Sequence, residues 1–300
     1  MFAILGATGK VGGSTIAALR ASGMPVRAVI RDLANAAPLI AAGCEIAVAN
    51  IEDPISVANA MRDASAVQVI LPTAPSAENA GGVMSSMIAS LVEALQVARP
   101  PMILAISDYG AERKEGTGIT LLFHELETQL CQLSARLIFL RSAEHMENIL
   151  RVFQAAAKTG YLPSMHHPLT KIFPTVSARD VGQVAAELLQ SSLAQNSSPL
   201  VVHAEGPRRY SVLDFEQAMS VVLARTICAQ ELPRADWKKA LCRGGISPSY
   251  ADLVVELYEA HNAGRIDAQV EAGEIYRGRT EFAEVLNKMV AASNEHPANV

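Results

Sequence analysis

The stretch Phe2-Ala3-Ile4-Leu5-Gly6-Ala7-Thr8-Gly9-Lys10-Val11-Gly12-Gly13 decides the fold class. Four apolar residues read as a short buried strand. Glycine then stands at positions 6, 9 and 12, and a helical pattern runs from about Val11 to Ala21. Such glycines serve a tight turn, close approach of backbone to a pyrophosphate, and close packing of helix on strand. The helix that follows offers free amides and the positive end of its dipole to an anion. On this reading Gly6, Thr8, Gly9, Lys10, Val11 and Gly12 hold the phosphates of a dinucleotide. A glycine triplet alone is weak evidence; a strand before it and a helix after it make it specific.

Working outward, the same alternation continues. Strands are expected at Val26–Ile30, Glu45–Ala49, Val67–Leu71, Met102–Ile106 and Leu137–Leu140. Between them lie helical patterns near Pro38–Ala42, from Asp53-Pro54 to Asp63, Gly82–Ala98 and Thr120–Leu133. Largely apolar strands alternating with helices indicate parallel βαβ units. The fold class is therefore α/β, a doubly wound parallel sheet of Rossmann type. Leu71, Pro72 and Thr73 end the fourth strand and are expected along the cofactor, as is Ser107 after the fifth.

After about residue 150 the rhythm changes. Gly160–Pro174 reads as a loop, Ala178–Gln190 as a helix, Ser191–Pro199 as a polar linker and Leu200–His203 as a strand. Helices follow at Val212–Leu223, Arg234–Leu241, Pro248–Asn262 and Thr280–Ala292. The division expected is a nucleotide-binding domain over 1–155 and a smaller, mostly helical lobe over 156–300. Segments near 172–203 are expected to return to the first domain.

Composition narrows the function classes. Of 300 residues half are hydrophobic and 18% charged, which excludes global disorder and allows a sizeable core. The 25 basic and 30 acidic residues leave a net charge of -5, against a dedicated nucleic-acid binder. There is no uninterrupted apolar run of about 18 residues, the length of a membrane span. The N-terminus lacks the basic region of a signal peptide, so a cytoplasmic protein is expected. Cys44, Cys131, Cys228 and Cys242 form no CxxC pair, which speaks against disulfides and structural zinc.

Cofactor choice is read at the end of the second strand. Sites for NAD usually place a carboxylate there to hold the ribose 2′-hydroxyl. Here Arg31 comes first and Asp32 second, so a cation stands where a 2′-phosphate would be paired. Arg27 and Lys10 add positive charge nearby. NADP(H) is favoured over NAD(H), with Asp32 the residue that argues the other way.

Several segments together resemble the NmrA-like group of atypical short-chain dehydrogenase/reductases, and its bacterial NAD(P)H:quinone oxidoreductase-type members. They are Gly6 to Gly12, Val26 to Asp32, Ala42 to Glu45, Asp53 to Val57, Leu140-Arg141 with Met146-Glu147-Asn148, and Val176 to Gly182. The likeness is specific over the first 180 residues or so and looser beyond. It implies a dinucleotide-binding domain, a small helical substrate lobe and a cleft between them.

The Tyr-x-x-x-Lys pair of ordinary members of that superfamily is missing; Tyr109 is followed at that interval by Arg113. The resemblance also leads one to look for Lys or His four residues before Glu127. That position is Phe123, and His124 is offset by about 100° around the helix. Tyr109 and His124 are the catalytic candidates that remain. Asp108, His145, Met146 and Asn148 are the candidates for contact with a substrate, and no metal is expected. The adjacent His166 and His167 read as a solvated loop pair.

The resemblance implies hydride transfer from NAD(P)H to a small electrophile such as a quinone. The alternative is a non-catalytic NADP(H)-sensing regulator that binds a protein partner. An epimerase of sugar nucleotides is a weaker third reading. A homodimer stays open.

Overall fold

The computed structural model describes residues 1–191, 199–269 and 271–295. The chain begins as foreseen: β1 (Phe2–Leu5), α1 (Lys10–Ala21), β2 (Val26–Ile30), α2 (Ala37–Ala41), β3 (Glu45–Val48) and α3 (Pro54–Met61). It continues through β4 (Ala66–Ile70), α4 (Ala80–Ala98), β5 (Met102–Asp108), α5 (Thr120–Leu130), β6 (Arg136–Ser142), β7 (Glu144–His145) and α6 (Leu150–Thr159). Then come β8 (Tyr161–Ser164), β9 (Thr175–Val176), α7 (Ala178–Gln190), β10 (Leu200–Glu205), α8 (Val212–Val222) and β11 (Cys228–Glu231). The last elements are α9 (Trp237–Arg243), α10 (Pro248–Asn262), β12 (Gly273–Arg277) and α11 (Phe282–Glu295).

Eight strands form one sheet in the order β3-β2-β1-β4-β5-β6-β10-β12, and every pairing in it is parallel. This is a Rossmann-type α/β fold. Strand order reverses between β1 and β4, and ligands of open α/β sheets lie beyond the carboxyl ends of strands at such a point. The phosphate turn follows β1 there, and Leu71-Pro72-Thr73 follows β4.

Local signals explain where the helices start. Asp53 accepts from the amides of Ile55 and Ser56 ahead of Pro54, and Asn79 accepts from Gly82. Ser211 and Asp214 form a reciprocal capping box at α8. On one face of the sheet α1 and α7 bury Ile16, Leu19, Val181 and Ala185. The other face buries Met61, Met84, Ile88 and Leu126. A third cluster around Met146, Phe153, Phe215 and Phe282 stands apart from both.

Among the described helices α4 is long and apolar enough, by length and composition, to cross a membrane. Its Met84, Ile88, Leu91 and Leu95 lie in the core of the sheet.

The structure departs from expectation where polar residues finish a strand. β5 runs to Asp108 and β6 to Ser142, because their polar ends find partners inside the fold. Within the expected loop 160–174, Tyr161–Ser164 pairs with β11 in a small two-stranded sheet. Of the expected polar linker, residues 192–198 lie outside the described residues.

Candidate functional site

The phosphate turn has the shape its glycines imply. Gly6 has φ +70, in the left-handed region that favours glycine, and its carbonyl accepts from the Gly9 amide at 2.9 Å. A Cβ on Gly12 would lie 2.2 Å from that carbonyl oxygen, so only glycine lets α1 approach the turn this closely. No side chain caps α1 and no acidic residue stands in its first turn. Amides of the first turn are thus left for an anion, as a dinucleotide pyrophosphate requires. The side chains of Val11 and Ala7 are core residues, whereas Thr8 and Lys10 are exposed.

From this turn a cleft of about 620 Å³ runs past the carboxyl ends of β1, β2, β3 and β4. Arg31, Asn35, Asn50, Pro72 and Thr73 line it with Gly6 and Thr8. Asp32 borders it as well, but its Oδ1 accepts from the Ala34 amide at 2.9 Å and caps the short turn 33–35. Arg27 points elsewhere, to Glu45 at 2.5 Å and to the carbonyls of Ala60 and Arg62. Asn50 was missed in the sequence; its Oδ1 holds the Glu52 amide and shapes the wall beyond β3. Its signal was its place just past a strand end. Leu71 is buried and its side chain is core.

Four candidates at the ends of β5 and on α5 line neither this cleft nor the second cavity described below. The Ser107 hydroxyl is buried and donates to Glu127 Oε1 at 2.6 Å, so its expected contact with cofactor is corrected. Asp108 accepts from the Thr120 hydroxyl at 2.9 Å; burial, opposed in part by that bond, pushes its carboxyl up to about 7. Tyr109 is 1% exposed, and its hydroxyl donates to Glu205 Oε1 at 3.2 Å. Burial and the Glu205 charge push that hydroxyl far above the ordinary tyrosine value. A phenol so placed meets no substrate, which corrects its catalytic assignment. His124 is half-buried, with Nδ1 2.7 Å from the Ala111 carbonyl oxygen.

Arg141, part of the family-like signature, forms a two-point ion pair with Glu127, Nε to Oε1 at 2.9 Å and Nη2 to Oε2 at 2.7 Å. Its Nη1 also donates to Glu112 and Gln269. The group ties β5, β6, α5 and the segment before β12 together.

Beyond β6 lies a second cavity, of about 130 Å³. The candidates His145, Met146 and Asn148 line it, with apolar walls that include Val152, Leu162 and Phe215. Met146 is buried, Asn148 is exposed at the rim, and His145 Nε2 lies 3.3 Å from the Ser142 hydroxyl. Burial lowers the His145 pKa; Glu147 and Glu144 oppose this, and Lys10 adds to it.

Sequence reasoning missed Glu144 and Tyr258 there, and His166, expected to be solvated, is buried beside them. Glu144 Oε2 is 2.8 Å from His166 Nε2, and the Tyr258 hydroxyl donates to Glu144 Oε1 at 3.2 Å. Burial alone would raise the Glu144 carboxyl; His166, His261 and Tyr258 together bring it down to about 2. His261, buried behind them, is pushed down to about 4, chiefly by burial.

Known proteins agree with this layout. The NAD(P)H-binding family is matched over residues 6–192. The NAD(P)H azoreductase of Xenophilus azovorans is 25% identical over 260 residues, 86% of each chain. Among solved structures, Citrobacter sp. triphenylmethane reductase superposes with a TM-score of 0.79 at 18% identity, covering 97% of this chain and 99% of that one. The Escherichia coli NADPH-dependent quinone oxidoreductase, complexed with NADPH, gives 0.78 at 19% identity, covering 97% and 100%. NmrA, a negative transcriptional regulator, gives 0.67 at 15% identity, covering 98% and 97%. With its phosphate turn, its reversed strand order and a match over more than half its length, the chain belongs to the NAD(P)H-binding family.

Proposed function

We propose that the protein is an NADPH-dependent reductase of small, flat electrophiles of the quinone or azo class. One observation carries this reading: a mostly apolar cavity with a hydrogen-bonded Glu-His-Tyr set lies beyond β6, in a chain whose β1–α1 turn is shaped for a dinucleotide. A protein that merely senses the cofactor has no need of such a chamber. The azoreductase relative and the quinone oxidoreductase likeness support the same chemistry.

The α1 amides and Thr8 would hold the pyrophosphate, and Pro72 with Thr73 would border the nicotinamide end. Reduced nicotinamide, when bound, supplies the hydride. The protein's part is orientation and exclusion of water: Met146, Val152, Leu162 and Phe215 give the acceptor an apolar wall. A steady-state screen of NADPH oxidation against quinones and azo dyes tests this. Turnover with at least one class is expected; silence across the panel, with tight NADPH binding intact, would move the protein to the sensor class.

NADPH is preferred because Arg31 lines the cleft while Asp32 is engaged with its own turn. A hydrogen bond to a charged group is worth about 1.5–3 kcal/mol. Arg31→Ala should therefore weaken NADPH by roughly 10- to 150-fold and leave NADH nearly unchanged. Equal losses for both nucleotides, measured by calorimetry, would remove the role given to Arg31.

A further inference from the structure

The cavity beyond β6 has a fixed size, because one of its walls is held at both ends. Leu162 to His166 line it as one continuous segment. β8, which begins that segment, pairs with β11, and the Ser164 carbonyl accepts from the Leu232 amide at 2.8 Å. Asn262, at the end of α10, clamps the other end. Its Nδ2 donates to the Met165 carbonyl at 2.8 Å, and its Oδ1 accepts from the His167 amide at 3.0 Å. Lys171 Nζ donates in turn to the Asn262 carbonyl at 2.8 Å. Met146, Phe215 and Val254, all buried, line the cavity as well. Close-packed side chains of this kind resist displacement.

Volume and chemistry then select a ligand. A cavity of about 150 Å³ lined by Leu, Ile and Phe holds one benzene molecule. At about 130 Å³, with mostly apolar walls, this one has room for a single six-membered ring and not for a second. Glu144 supplies a polar wall, and its side chain keeps 17% exposure. Burial of its carboxyl is outweighed by His166, His261 and Tyr258, so it is ionised at neutral pH. An ionised carboxylate only accepts hydrogen bonds, and its two oxygens have about four places to do so. Oε2 faces His166 Nε2 and Oε1 accepts from Tyr258, which leaves capacity for a ligand hydroxyl.

We infer that this cavity is a binding site for one six-membered ring bearing a hydroxyl, a phenol or a hydroquinone, and that it turns away fused and paired rings. The ring lies against Met146, Leu162 and Phe215, and the hydroxyl donates to Glu144. A quinone carbonyl, which only accepts, is matched less well than the hydroquinone made from it. The cavity is the chamber assigned above to the acceptor, and on that reading the limit extends to substrates: single-ring quinones are favoured, and hydroquinone competes with them.

The test uses the whole protein without nucleotide, and calorimetry with phenol, fluorobenzene and 2-naphthol. Phenol should bind with a Kd on the order of 1 mM or tighter. Fluorobenzene, of nearly the same shape but with no donor, should bind about tenfold more weakly or worse, the effect of losing a hydrogen bond to a charged acceptor. 2-Naphthol, though more apolar, should also fall about tenfold or more below phenol, because overfilling a packed site is unfavourable. Leu162→Ala widens the cavity and should recover 2-naphthol by roughly the same factor. Val152→Ala, at a half-buried lining residue, takes its place if that variant does not fold. Wild type binding 2-naphthol as tightly as phenol would overturn the inference, as would a folded, widened variant that binds it no better. Equal affinity for phenol and fluorobenzene would overturn it too. Phenol bound as expected by a protein that reduces no quinone would overturn the reductase reading and uphold this site. Quinone turnover in a protein that binds no phenol would overturn the site alone.

Discussion

Replacing Arg141 with Met is expected to destabilise the protein by about 3–5 kcal/mol, the usual cost of stripping one partner from a buried ion pair. Arg141 and Glu127 keep only 6% and 8% of their side-chain surface exposed, and they meet at two points. Burial disfavours the Arg141 charge, but Glu127 and Glu112 hold it above its ordinary pKa. Without it, Glu127 keeps a buried negative charge with the Ser107 hydroxyl as its remaining bond among those described. The double change Glu127→Leu with Arg141→Met removes both charges and should regain most of the loss. Urea midpoints of the four proteins give the cycle. A single variant less than about 1 kcal/mol below wild type would show that the pair does not hold β6 and α5 together.

Gly12→Ala is expected to abolish useful nucleotide binding, whereas Gly13→Ala, one residue further on, should be harmless. The two glycines differ only in what a methyl group would meet. At Gly12 it would fall 2.2 Å from the Gly6 oxygen and 2.8 Å from the Gly6 carbon, both backbone atoms that no rotamer change can move. α1 would have to retreat from the turn, and its amides would lose their aim at the pyrophosphate. Overpacking of this kind costs about 1–3 kcal/mol, and a misplaced turn forfeits binding beyond that, so NADPH affinity should fall by more than tenfold. At Gly13 the nearest atom is 3.7 Å away, an ordinary contact, and alanine is the better helix former by roughly 1 kcal/mol. Equal nucleotide affinity in the two variants, measured by calorimetry, would contradict the turn as described.

How far the sequence revealed this molecule depended on the range of the interactions. The phosphate turn was readable because Gly6 and Gly12 serve contacts within seven residues of each other. α7 and α10 were placed residue for residue, their starts marked by Ser177 and by Ser247 with Pro248. β12 was invisible: Gly273 to Arg277 lies at the sheet edge, carries Glu274 and Arg277, and pairs on one side only with β10. β8 was hidden by Pro163.

Partnerships across the fold were the least legible. Ser107 stood at the strand end where a cofactor contact is expected, yet Glu127, twenty residues on, takes its hydroxyl. His166 and His167 looked alike as neighbours in a loop. One is sealed by Glu144, Phe173 and Tyr258 from three distant segments, while the other is half-buried with its ring edge on Trp237. Nothing in local spacing separates them.

The central claim is that the cleft between the glycine turn and Arg31 binds NADPH in preference to NADH. Equilibrium titration of the wild-type protein with each nucleotide tests it most directly. The account predicts saturable binding of NADPH well below millimolar, at least tenfold tighter than NADH, a gap of about 1.4 kcal/mol. Binding of neither nucleotide below about 1 mM, or a preference for NADH, would contradict it.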